Sequence, residues 1–223
     1  MPTLYVEAQV LNPQLKVIKD VKEYRRSVST PDKQMVDVRL IPDLSIDLKY
    51  ATKDNFMKKE LYPNTSTSFL RQPVLNALKQ VQKELRGTGL GLLIWDAYRP
   101  YSVTKNMWEE IKDELYVANP AYGSGHNRGI AVDLTIIDFI TKLPLEMGTQ
   151  YDHFSDTAHQ TFTLLPTHIL RNRKMLKEIM EKNGFLALDT EWWHYYFPDS
   201  KKYEVLDLTF KALLKINKHT KSK

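Results

Sequence analysis

The seven residues AVDLTII at 131–137 alternate in the manner of a β-strand, with Val132, Leu134 and Ile136 on one face and Ala131, Asp133 and Thr135 on the other. Asp133 therefore projects away from the apolar side, just beyond the loop NPAYGSGHNRG. Other segments carry periodic patterns of their own. Pro73 opens a helix in which Val74, Leu75, Leu78, Val81 and Leu85 recur at helical spacing until Gly87 and Gly89 stop it. A buried strand over 90–95 then delivers Asp96 to Arg99 into the loop at its end. Val103, Met107, Trp108, Ile111 and Leu115 mark a second helix over 101–115, and a third over 168–182 ends on the C-cap pair Asn183-Gly184. Leu44, Ile46, Leu48 and Tyr50 alternate with Ser45, Asp47 and Lys49, the period of a strand with one buried face. Residues 185–188, the turn Asp189-Thr190 and residues 192–197 make a hairpin.

A chain of 223 residues fits one globular domain, placed at 37–210, with an N-terminal extension over 1–36 that wraps it and a basic C-terminal tail over 211–223. The net charge of +5 comes from that tail: Lys211, Lys215, Lys218, Lys221 and Lys223 have no acid among them, and without them 27 basic residues face 27 acidic ones. A solvated tail is expected, and no nucleic-acid partner. No run of eighteen apolar residues exists, so no membrane span is expected. The N-terminus, MPTLYVEAQVLNPQ, lacks the basic start and apolar stretch of a secretory signal. A soluble protein of the cytoplasm or periplasm is the expectation. Oligomeric state leaves no mark in the sequence.

With no cysteine in the chain, any metal has to be held by His and carboxylate. A hydrolytic zinc needs three such ligands and one open position. His126 sits in a glycine-flanked loop, Asp133 leads off the strand, and His194 lies on the terminal hairpin close to Glu191. Two imidazoles and one carboxylate leave a bound metal with net positive charge, as a Lewis acid requires. Taken singly, each has a plainer explanation: a lone loop histidine is ordinarily a surface or capping residue, the reading given to His153, His159, His168 and His219.

The combination carries more. SGHNRGIAVD at 124–133 resembles the S-x-H-x-x-G-x-A-x-D motif of the D-alanyl-D-alanine dipeptidases of the VanX type. EWWHY at 191–195 is similar to their E-W-W-H-Y motif, WDAYRP at 95–100 to their W-D-G-Y-R-P segment with Ala97 for glycine, and DLKYATKDNF at 47–56 to their D-x-K-Y-A-x-x-D-N-F stretch. The four motifs fall in the family's order over about residues 44–198. The resemblance implies an α+β fold, an antiparallel sheet flanked by helices as in the hedgehog/D,D-peptidase fold. It implies one zinc ion (Zn2+) per chain held by His126, Asp133 and His194, with Glu191 as general base and Arg99 stabilising charge on the scissile carbonyl oxygen. Asp152 would receive the ammonium group of a small D,D-dipeptide, and Tyr50, Asn55 and Ser124 would line its pocket. The loop between Tyr116 and His126 is longer than the family pattern, so no pocket tyrosine is assigned there.

Glu191 and His194 are three apart and would point to opposite faces of a straight strand, which places Glu191 in the turn before it. Two rivals remain: a D,D-carboxypeptidase or endopeptidase acting on peptidoglycan stem peptides, disfavoured by Asp152, and a zinc-binding module without activity, disfavoured by Glu191 and Arg99.

Overall fold

The computed structural model describes residues 15–62 and 65–220. The N-terminal segment read for a secretory signal lies outside them, as does the start of the 1–36 extension. In chain order the elements are β1 (Val17–Ile18), α1 (Val21–Ser27), β2 (Met35–Asp37), β3 (Ser45–Ile46), β4 (Phe69–Arg71), α2 (Gln72–Arg86), β5 (Leu90–Asp96) and α3 (Tyr101–Glu110). They continue with α4 (Gly125–Arg128), β6 (Ala131–Asp138), α5 (Thr167–Lys182), β7 (Leu186–Ala187), β8 (His194–Tyr196), β9 (Val205–Leu206) and α6 (Phe210–Thr220). Among the described residues no helix is long and apolar enough to cross a membrane.

The α+β architecture is present. Its central sheet has the order β3-β5-β6-β8-β7. Every pair is antiparallel except β3 with β5. That exception has a topological cause, because β3 reaches β5 only through the long connection that contains β4 and α2. The apolar face of β6 meets its core as its alternation requires: Val132, Leu134 and Ile136 pack with Leu92 and Ile94 of β5 under Leu78 of α2 and Leu176 of α5. Each such side chain taken fully out of water contributes roughly 1.5–3 kcal/mol. Asp133 is left on the opposite face.

A second apolar cluster joins the two ends of the described chain, with Tyr24 and Met35 from its start and Phe210 and Leu213 from α6 around Tyr98 and Met107. The described part of the lysine-rich end, as far as Thr220, therefore differs from the solvated tail expected for it, while residues 221–223 lie outside the described residues. Phe210 and Leu213, three apart, are buried on one side of a helix while Lys211 and Lys215 stay exposed. Asn217 Nδ2 also donates to the Met35 carbonyl at 3.0 Å.

Three local expectations are corrected. α3 stops at Glu110, short of Leu115, because Asp113 Oδ1 accepts the Leu115 amide at 2.9 Å and starts a competing turn. The stretch around His126, expected to be loop, contains the helical turn α4. Over 44–50 only Ser45 and Ile46 pair as strand, and Lys49–Ala51 tightens into a 3-10 turn that buries Tyr50.

Candidate active site

Sheet register assembles the site. In the ladders Asp96 of β5 lies opposite Asp133 of β6, and Asp133 lies opposite His194 of β8. Two carboxylates facing each other across neighbouring strands repel. Arg99 answers them: a register shift between Ile94 and Asp96 ends the regular strand, and three residues on, the guanidinium folds back. Its Nη2 and Nε lie 2.8 and 3.0 Å from Asp96 Oδ2, with Nη2 3.8 Å from Asp133 Oδ2. Asp96 Oδ1 accepts from Tyr62 Oη at 3.0 Å and from the Ala97 amide at 2.9 Å.

His126 enters from α4, a single turn held at both ends. Ser124 Oγ accepts the Asn127 amide at 3.1 Å while Asn127 Oδ1 accepts the Ser124 amide at 3.0 Å, a reciprocal cap. Gly129 ends the turn at φ 71°, a left-handed conformation that glycine adopts without strain. At Gly125 a Cβ would come 2.8 Å from the Ala131 Cβ, so the turn can lie this close to β6 only with glycine there. The Ala97 carbonyl, an acceptor only, lies 2.7 Å from His126 Nδ1. Nδ1 must therefore carry the proton, and Nε2 faces His194 and Asp133 with a free lone pair.

Nε2 of His126 is 3.2 Å from Nδ1 of His194 and 3.4 Å from Oδ2 of Asp133, and His194 Nδ1 is 2.9 Å from Asp133 Oδ1. Donors on a tetrahedron of about 2.1 Å radius stand about 3.4 Å apart, so this set fits a zinc-sized cation. Its atoms all lie within 4.8 Å of one another. Glu191 occupies the turn before β8, as its spacing from His194 required, with Oε2 3.8 Å from His194 Nδ1.

The charges call for a cation as well. Asp96, Asp133 and Glu191 are buried, Asp152 is half-buried, and the guanidinium of Arg99 is set among them. Burial, then Asp133 and Asp152, raise the Glu191 carboxyl well above its usual range. Burial and then Asp133 push Asp152 up to about 7. Burial by itself would raise Asp133 too, but His126 and His194 hold it low, which keeps it anionic. Burial lowers His194 and so favours the neutral ring, the form in which an imidazole can hold a metal. A divalent cation would relieve the carboxylates together.

These groups border a cavity of about 370 Å³ that Tyr50, Ser124 and Asp152 also line. Asp152, at φ 57°, accepts from Tyr50 Oη at 3.0 and 3.1 Å, and the Tyr50 ring lies under Arg99 at 5.0 Å. Asn55 is placed differently. Its Nδ2 donates to the carbonyls of Lys49, Thr52 and Lys59, which pins its own loop, and it borders a neighbouring cavity of about 510 Å³. Tyr116, unassigned from the sequence, lines the smaller cavity and stacks on Phe154 at 4.9 Å. Sequence reasoning also gave no role to Asp96 or to Tyr151, whose hydroxyl donates to Asp133 Oδ2 at 2.8 Å. Asp96 stands inside a quoted motif, where an acid three residues before the arginine was the available signal. His168 pairs with Glu146 at 2.7 Å on the surface.

An α+β domain with an open His-Asp-His set and a buried glutamate beside it has the composition of a metallopeptidase site. The sequence pattern of the D-Ala-D-Ala dipeptidase family matches residues 32–213. A D-alanyl-D-alanine dipeptidase of Escherichia coli is 35% identical over 182 residues, covering 81% of this chain and 93% of that protein. Dipeptidases of the same name from Enterococcus faecium and Streptomyces coelicolor are 33% and 32% identical, covering 69% and 74% of this chain and 85% and 91% of theirs. The chain belongs to the D-Ala-D-Ala dipeptidase family, and it is a metallopeptidase.

Proposed function

We propose that this protein hydrolyses D-alanyl-D-alanine to two D-alanines, with one zinc ion held by His126, Asp133 and His194, Glu191 as general base and Arg99 as oxyanion partner. The observation that carries this reading is the convergence of the three-donor set, Glu191, Arg99 and Asp152 on one cavity of about 370 Å³.

A zinc ion in that set supplies Lewis acidity and brings the pKa of water toward 7. Glu191 takes a proton from the attacking water as its oxygen bonds to the amide carbon, then gives that proton to the nitrogen as the C–N bond breaks. The burial that raises its carboxyl makes it a strong enough base for the task. Arg99 commits Nε and Nη2 to Asp96, which leaves the Nη1 pair of donors for charge developing on the carbonyl oxygen. A guanidinium beside Asp96 stays protonated throughout. Asp152 faces the substrate's ammonium, and that cation supplies the counter-charge the half-buried carboxylate lacks.

Incubating the protein and zinc with D-Ala-D-Ala and, separately, with its N-acetyl derivative tests the reading by the free D-alanine released. The free dipeptide should be cleaved well. The acetylated one leaves Asp152 unpaired, a penalty of about 2–5 kcal/mol, or roughly 30- to several-thousand-fold. Equal rates would replace the dipeptidase reading by the carboxypeptidase one, and no D-alanine from either would end both.

A further inference from the structure

We infer that Tyr151 is a positioning residue for the metal-ligating carboxylate: its hydroxyl holds Asp133 Oδ2, so that Asp133 offers the metal one oxygen, Oδ1. The inference rests on the reading of Asp133 as a zinc ligand and assigns the residue that sets how Asp133 binds. The phenol donates to Oδ2 at 2.8 Å, and Arg99 Nη2 stands 3.8 Å from that same oxygen, so Oδ2 faces two donors. Of the two oxygens Oδ1 stands closer to a ligand nitrogen, 2.9 Å from His194 Nδ1 against 3.4 Å between Oδ2 and His126 Nε2.

The ring cannot easily carry its hydroxyl elsewhere. Its centroid lies 5.1 Å from that of Trp95, 5.6 Å from that of Trp193 and 5.9 Å from that of Tyr50, an aromatic enclosure on several sides. The next residue, Asp152, takes the left-handed conformation that turns its carboxylate to Tyr50. Adjacent side chains thus serve two carboxylates, one in the metal set and one facing the dipeptide.

The consequence concerns coordination number. A carboxylate that closes on zinc through both oxygens fills the position a hydrolytic site keeps for water. A hydrogen bond to one oxygen fixes the plane of the group and discourages that closure, and partners of this kind orient ligands and tune the metal. The hydroxyl of Tyr151 therefore keeps the fourth position open.

The test compares wild type, Tyr151→Phe and Tyr50→Phe, each loaded with Co2+ for its visible absorption and with Zn2+ for affinity by chelator competition. Phe at 151 keeps the ring and its packing and removes only the donor. Tyr151→Phe should show a Co2+ spectrum moved toward higher coordination, with weaker absorption, and zinc affinity lower by about 10- to 100-fold. Tyr50→Phe, which loses only the bond to Asp152, should keep the wild-type spectrum. A wild-type Co2+ spectrum in Tyr151→Phe overturns the inference whatever its affinity. Failure of the wild type itself to bind stoichiometric metal would overturn the ligand assignment, and this inference with it.

Discussion

Replacing Asp152 by Asn should stabilise the metal-free protein at pH 8 while impairing its reaction. Burial and the facing Asp133 push this carboxyl up to about 7 from an ordinary 3.8. About three pH units at roughly 1.4 kcal/mol each set a ceiling of about 4 kcal/mol. The group is half-buried, and the water it keeps lowers the expected effect to about 2–4 kcal/mol. Well below its unfolded pKa the carboxyl is protonated in both states, and nothing is lost. Between there and about pH 7 the unfolded chain gives up the proton and the folded one retains it, so wild-type stability falls as pH rises and then levels off. Asparagine is neutral throughout and can still accept from Tyr50, so its advantage should be small near pH 4.5 and full by pH 8.

For a chain of this size each kcal/mol moves Tm by about 2–4 °C, which makes the shift at pH 8 roughly 4–16 °C. Thermal or urea unfolding in chelator across that pH range reads it directly. Restoring zinc should shrink the gain, since the cation offsets the charge of Asp133. The same variant should lose kcat/KM on the free dipeptide. A gain of equal size at pH 4.5 and pH 8, or none at pH 8, would refute the account of Asp152 as a carboxylate held at an electrostatic cost for the sake of an incoming cation.

Glu191→Gln should keep its zinc and fold yet lose about 10²–10⁴-fold in turnover, and a loss under tenfold would remove the general-base role. His126→Ala should abolish zinc binding and activity together, with metal analysis as the check, and wild-type zinc content would take His126 out of the ligand set. Asp96→Ala should cost about 3–5 kcal/mol in urea unfolding, because it strips a buried guanidinium of its main partner. A cost below about 1 kcal/mol would mean that Arg99 turns to Asp133 without loss.

How much of this could be read beforehand follows from how far apart in the chain the causes lie. α2 and β6 were legible because their periodicities repeat within one element, and Val74, Leu78 and Val81 face the core their spacing predicts. That His126, Asp133 and His194 would come together, with Glu191 beside them, was legible because few residue types can hold a metal and the motifs kept them at fixed spacing. α6 was obscured by its own lysines, although Phe210 and Leu213 carried its apolar side. The parallel pairing of β3 with β5 and the placing of Asp96 opposite Asp133 were not legible, because both are properties of register. No local pattern states that Asp96, Asp133 and His194 will stand in a row across three strands. Yet the same alternation fixes that row indirectly. Slipping β6 by one residue would turn Asp133 into the apolar core and bring Val132 and Leu134 out, a change the packing under α2 and α5 forbids. The apolar residues of β6 thus specify the position of a carboxylate on the opposite face of their strand. Arg99 and Tyr151 can then act on Asp133 only because that core holds the carboxylate between them.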